Sequence, residues 1–148
     1  MLSGTTWRRG ARMGLLLESE CEIAASAGEW EGARELLERA RAEAERCGLE
    51  ALEYAADRLD GHLALQSGEG TTAVHLLQRA RAGFERLDAR WDEALTTLAL
   101  GEALVETGVE SNLPRVVGPA IDVFRELGAT RELAKAQSLI EHVESEGR

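Results

Sequence analysis

Glu22, His62, Glu102 and His142 recur at intervals of forty residues. Carboxylates and imidazoles bind zinc and move protons near neutral pH, so the row first suggests a metal site or acid–base chemistry. Four residues before its members stand Glu18, Arg58, Leu98 and Ser138; four residues after stand Ser26, Gln66, Glu106 and Glu146. Residues four apart share a helix face, so in helices these side chains form a mostly polar surface. Metal ligands must converge to roughly 2 Å from one ion. Members of this row fall on different helices, a whole hairpin apart, and no metal site is assigned.

The stretch GEGTTA, Gly68 to Ala73, has the form G-x-G-x-x-A of a dinucleotide loop. That loop needs a preceding strand, and here a helix precedes it. Its counterpart forty residues earlier is GEWEGA, so the glycines belong to a recurring turn. No Walker lysine, G-x-S-x-G, H-E-x-x-H or catalytic Cys–His spacing occurs. Acidic residues are plentiful, but they argue for catalysis only inside a pocket that shifts a pKa. No catalytic residue and no cofactor is assigned, and a non-catalytic protein is expected.

The elements that position these residues follow from the same period. Gly28 to Gly48, GEWEGARELLERARAEAERCG, aligns without a gap on Gly68 to Asp88, GEGTTAVHLLQRARAGFERLD, with 11 of 21 positions identical. Gly108 to Gly128 is a third, more diverged copy that keeps Gly108, Ala120, Phe124 and Leu127. Ala33, Leu36, Leu37, Ala40, Ala44 and Cys47 step by 3, 1, 3, 4 and 3, one stripe of a helix. Ala73, Leu76, Leu77, Ala80, Phe84 and Leu87 repeat the stripe, as do Leu113, Val116, Val117, Ala120, Phe124 and Leu127. The stripes predict buried faces, with Cys21 and Cys47 as core thiols. Glycines 28, 68 and 108 fit helix ends, as do Gly48, Asp88 and Gly128, while Thr71 and Ser111 or Asn112 suit N-caps. Seven helices are predicted, at about 9–27, 31–47, 50–67, 71–87, 90–107, 113–127 and 130–145, and no strands. Gly118-Pro119 interrupts the sixth, as a tolerated kink or a hinge.

The bulk numbers fit one helical domain. The chain has 148 residues and net charge −10, with 27 acids against 17 bases, Lys135 being the one lysine. Such acidity opposes a phosphate backbone, so direct nucleic-acid binding is not expected. Arg8-Arg9 before Leu15-Leu16-Leu17 resembles a twin-arginine leader, but Glu18, Glu20 and Glu22 break the apolar run early. No run reaches the ~18 apolar residues of a membrane span. A cytoplasmic protein without a membrane association is expected.

The hairpins resemble the tetratricopeptide repeat. Leu100-Gly101, Leu104 and Gly108 match its pattern in the third copy, and Gly61, Gly68, Ala73, Leu77 and Ala80 in the second. In the first copy Gly28, Trp30, Ala33, Leu37 and Ala40 match, with Cys21 in a small-residue position. The likeness covers about residues 9–146. It departs in its period of forty, against the usual 34, and in lacking the terminal proline. The long repeats and the phrase FRELGATRELAKAQ also resemble the C-terminal helical regions of bacterial LuxR-type and MalT-type regulatory ATPases and of ATPase-coupled nucleotide cyclases.

The resemblance implies an all-α, right-handed solenoid. Residues 1–8 form an N-terminal segment, 9–148 the repeat domain with hairpins at about 9–48, 49–88 and 89–128, and 129–146 a capping helix. It also implies a concave groove lined by the first helix of each hairpin. Candidate groove residues are Glu18, Glu22, Arg58, His62, Gln66, Glu102, Glu106, Lys135 and His142, and the partner is expected to be a protein or peptide with basic residues. His62 and His142 are expected to gain charge below about pH 6.5 and weaken such binding. The resemblance places Trp30 in the core; Trp91 is expected to pack between hairpins, and Trp7 to cover an end or to fray. The outer face of the first helix, with Met13 and Leu16, is expected to be covered either by Trp7 and the N-terminal segment or by a second chain, in self-association. The implied role is protein–protein interaction in bacterial signalling or regulation, or alternatively a detached C-terminal sensor arm of a larger ATPase, transcription regulator or cyclase.

Overall fold

The computed structural model describes the backbone of residues 4–28, 30–109 and 112–146, and their side chains from Met13 onward except Ser26. The expectations for the Trp7 side chain and for Ser111 lie outside these residues. All regular structure among them is helical: α1 Gly4–Ala27, α2 Ala33–Cys47, α3 Glu50–Gln66, α4 Gly70–Arg86, α5 Arg90–Thr107, α6 Leu113–Leu127 and α7 Thr130–Glu146. The fold is all-α with the seven helices predicted. α1 begins at Gly4, inside the stretch expected to precede it. No described helix is long and apolar enough to cross a membrane.

The turns repeat with the sequence. Residues 28, 68 and 108 are glycines at φ 68°, 77° and 77°, and Gly48 and Gly128 adopt 64° and 69°. A residue with a Cβ is strained there, which is the advantage of glycine at a helix end. At the remaining position Asp88 takes φ 56° itself, a conformation that Asp tolerates better than most residues. α4 starts earlier than Thr71 would set it, with Glu69 as its cap residue and the Glu69 carbonyl accepting from Ala73 N–H. The chain re-enters the helix directly from left-handed Gly68, leaving Thr71 inside the first turn. Asn112 does precede α6, though its side chain makes no capping bond.

Every helix packs on the next one in sequence. Contacts also run α1–α3, α3–α5 and α5–α7, whereas α2, α4 and α6 do not meet one another among the described residues. The odd helices therefore form one row and the even helices another. Small residues let the partners of a hairpin approach. A Cβ on Gly61 would lie 2.7 Å from Leu77 Cγ, and one on Gly101 2.8 Å from Val117 Cγ2. Buried Cys21 holds the same place in the first hairpin.

Leu37, Leu77 and Val117 are buried, as are Ala40, Ala80 and Ala120 at the centre of each stripe. Each stripe stops a turn short of its prediction. Cys47 is exposed, and Leu87 and Leu127 are 37% and 55% exposed. These residues stand just before the left-handed turn, where the chain swings into the next helix and no neighbour lies opposite. α6 continues through Gly118-Pro119, with Pro119 on its exposed side. Its missing N–H costs least there, because water can reach the unpaired carbonyl.

Candidate functional site

A groove of about 220 Å³ runs along the row of odd helices. α1 and the following turn contribute Ala25, Ala27, Gly28 and Trp30; α3 gives Arg58, His62, Leu65 and Gln66. α5 adds Leu95, Leu98, Ala99 and Glu102, and α7 Arg131, Glu132 and Lys135. Five of the nine predicted site residues thus meet in one place: Arg58, His62, Gln66, Glu102 and Lys135. The indole of half-buried Trp30 stacks on the His62 imidazole, with ring centroids 5.9 Å apart and planes 25° from parallel.

Electrostatics differ from residue to residue along the groove. Burial holds the His62 imidazole down at a pKa of about 4, and the nearby Arg58 and Lys135 charges add to the effect. His62 is therefore neutral well below pH 6.5, contrary to the expectation that it would charge there. Burial pushes the Glu102 carboxyl above its usual range, against the opposing pull of Lys135. Among the described residues no opposite charge lies within 4 Å of Glu102, Arg131, Glu132 or Lys135, in contrast to the paired arginines elsewhere.

Arg58, only 3% exposed, forms the wall between this groove and a second cavity of about 150 Å³. Its guanidinium donates to Asp92 Oδ1 at 3.2 Å and lies 5.2 Å over the Phe84 ring. Glu18 and Glu22 line that second cavity, with Phe84 and Asp92. Burial raises the Glu18 pKa, Asp92 adds to the rise and Arg58 opposes it. Glu22 accepts a hydrogen bond from Trp91 Nε1 at 3.1 Å.

Set against protein-family models, curated proteins and solved structures, the chain matches none of them.

The other predicted residues lie apart. His142 is exposed, 3.3 Å from Glu146, and shares an open depression with Glu102, Lys135 and Ser138. Glu106 is exposed and lines neither cavity. No cluster of three or more His, Cys, Asp or Glu able to hold a metal occurs among the described residues. Arg131 and Glu132 were not among the residues predicted from sequence, although Arg131 precedes Lys135 by one helical turn and so shares its face. The Arg58–Asp92 pair also went unpredicted. So did buried Asp57 of α3, which reaches Arg41 of α2 at 3.0 Å and Arg79 of α4 at 3.3 Å. A charged residue amid the small and apolar residues of α3 was the available signal.

Proposed function

We propose that the protein is a non-catalytic interaction module that takes an extended segment of a protein partner along the groove of α1, α3, α5 and α7. One observation carries this reading: a single groove collects side chains from four alternate helices and offers charges that have no internal partner. A half-buried carboxylate such as Glu102, desolvated and without an ion pair, favours a lysine or arginine of the segment beside it. Arg131 and Lys135 accommodate a neighbouring acid, and the Trp30–His62 stack provides a flat apolar end. The resemblance to tetratricopeptide repeats supports the same use of the first helices and a regulatory setting.

The test is affinity capture from lysate of a bacterial host followed by titration of the purified partner. Glu102→Arg should weaken binding at least tenfold with helicity unchanged. Glu106→Arg, outside the groove, is the matched control and should bind like the parent. Equal affinity for both variants would remove the groove from consideration.

A further inference from the structure

The charges that line the groove cancel without touching. Glu102 and Glu132 stand against Arg131 and Lys135, and among the described residues none of the four has an opposite charge within 4 Å. Arg58 is already held by Asp92 at 3.2 Å, and burial keeps His62 neutral down to a pKa of about 4. Two free acids and two free bases thus leave the lining with no net charge but with both signs unpaired. A nucleotide or other polyanion meets two carboxylates there, and a polyamine meets two cations. The complementary ligand is neutral overall and carries one charge of each sign.

Glu102 of α5 and Lys135 of α7 have the spacing such a ligand needs. They lie more than 4 Å apart, yet the ammonium is near enough to pull on the half-buried carboxyl. Both also border the open depression beside the groove, so they face one space. A gap wider than an ion pair takes a group that bears its ammonium and its carboxylate on one carbon, the first toward Glu102 and the second toward Lys135. That ammonium would relieve a desolvated carboxylate that has no partner in the free protein. Leu65, Leu95, Leu98 and Ala99 supply an apolar wall alongside, and the Trp30–His62 stack forms one end. At about 220 Å³ the groove is smaller than the roughly 300–1,000 Å³ of pockets that take drug-sized ligands, which suits a single small molecule.

We propose that the groove binds a free α-amino acid with an apolar side chain, Glu102 holding its ammonium and Lys135 its carboxylate. The proposal goes beyond a protein segment as ligand; it shares with that reading only the groove, and it makes the amino acid a competitor there. Calorimetric titration of the full chain tests it with no partner present. The probes are L-leucine and L-phenylalanine, each compared with its N-acetyl derivative and its amide. Saturable one-to-one binding is expected for at least one of the two amino acids, with both of its derivatives at least tenfold weaker. Glu102→Gln should weaken the amino acid at least tenfold and leave the N-acetyl derivative, which has no ammonium, bound as by the parent. Lys135→Gln should likewise weaken the amino acid and spare the amide, and both variants should keep the parent's helicity. No saturable binding of either amino acid, derivatives as tight as the amino acids, or unchanged affinity in Glu102→Gln would each overturn the proposal. A null titration with a partner still captured through Glu102 would overturn the amino-acid site alone and leave the segment reading standing.

Discussion

The indole N–H of Trp91 and the carboxylate of Glu22 meet at 3.1 Å, although 69 residues separate them. The backbones of α1 and α5, which carry them, make no direct approach. The bond spans α3, and the same indole packs edge-on with Phe124 of α6, their ring centroids 5.7 Å apart. Trp91 thus ties the first helix to the third hairpin.

Removing that tie should loosen α1 selectively. Glu22→Ala is expected to cost about 1 kcal/mol, the usual net worth of a hydrogen bond, and to speed amide exchange in the second half of α1. Glu22→Gln retains an acceptor and should cost less. Urea denaturation with exchange by mass spectrometry decides it, and equal effects would mean that the bond carries no weight.

The Arg58–Asp92 pair predicts an order of stabilities. Asp92→Ala strands a guanidinium that is 3% exposed, and breaking such a pair from one side costs about 3–5 kcal/mol. Arg58→Met keeps the apolar stem over Phe84 and leaves Asp92, itself 34% exposed, in contact with water. The methionine variant should be the more stable of the two in chemical denaturation. The reverse order would place the balance of the pair in Asp92.

His62 predicts a loss of stability in mild acid. Between its folded pKa of about 4 and the ordinary 6.5, the unfolded chain binds a proton that the folded chain does not. Stability is therefore full above pH 6.5 and declines as pH falls toward 4. At 1.36 kcal/mol per pKa unit the decline reaches roughly 3 kcal/mol. Glu18, Glu102 and Asp57, whose folded pKa values are raised, act in the opposite sense. The contribution of His62 is accordingly read as the difference between the parent and His62→Gln, measured by urea titration at pH 7 and pH 4.5. A constant difference would refute it.

Packing within the second hairpin should be intolerant in both directions. Leu77→Ala empties a fully buried site and should cost about 2–5 kcal/mol. Gly61→Ala drives a methyl to 2.7 Å from Leu77 Cγ, and such overpacking costs about 1–3 kcal/mol. Glu31→Ala, at an exposed site, should stay within about 0.5 kcal/mol of the parent. Melting curves of the three variants provide the check.

Helices and turns were legible in the sequence because their causes are local. An apolar stripe, a glycine at a left-handed φ and a short connection are each written within a few residues. The candidate site was legible only as a row. Repeat equivalence places Glu22, His62, Glu102 and His142 at one helical position, yet their surroundings diverge. Glu22 binds Trp91, His62 lies under Trp30, Glu102 is half-buried in the groove, and His142 is exposed at the edge. The preceding turn differs each time, with Glu18, Arg58, Leu98 or Ser138, and those side chains set burial and charge. Partners 34 or 69 residues away, such as Asp92 for Arg58 and Trp91 for Glu22, depend on how hairpins are angled, which no local pattern encodes.

The buried side chains divide into three clusters that follow chain order: one over α1–α4, one over α3–α5 and one over α5–α7. Because each cluster joins helices close in sequence, the polypeptide closes only short loops as it gains core, a topology associated with fast folding. Opening is correspondingly graded. The middle helices belong to more than one cluster, while α7 has a single fully buried residue, Ala136, so it can detach and leave the rest of the array standing. Such a chain is expected to open first at α7, so that partly opened forms lie at lower free energy than global unfolding.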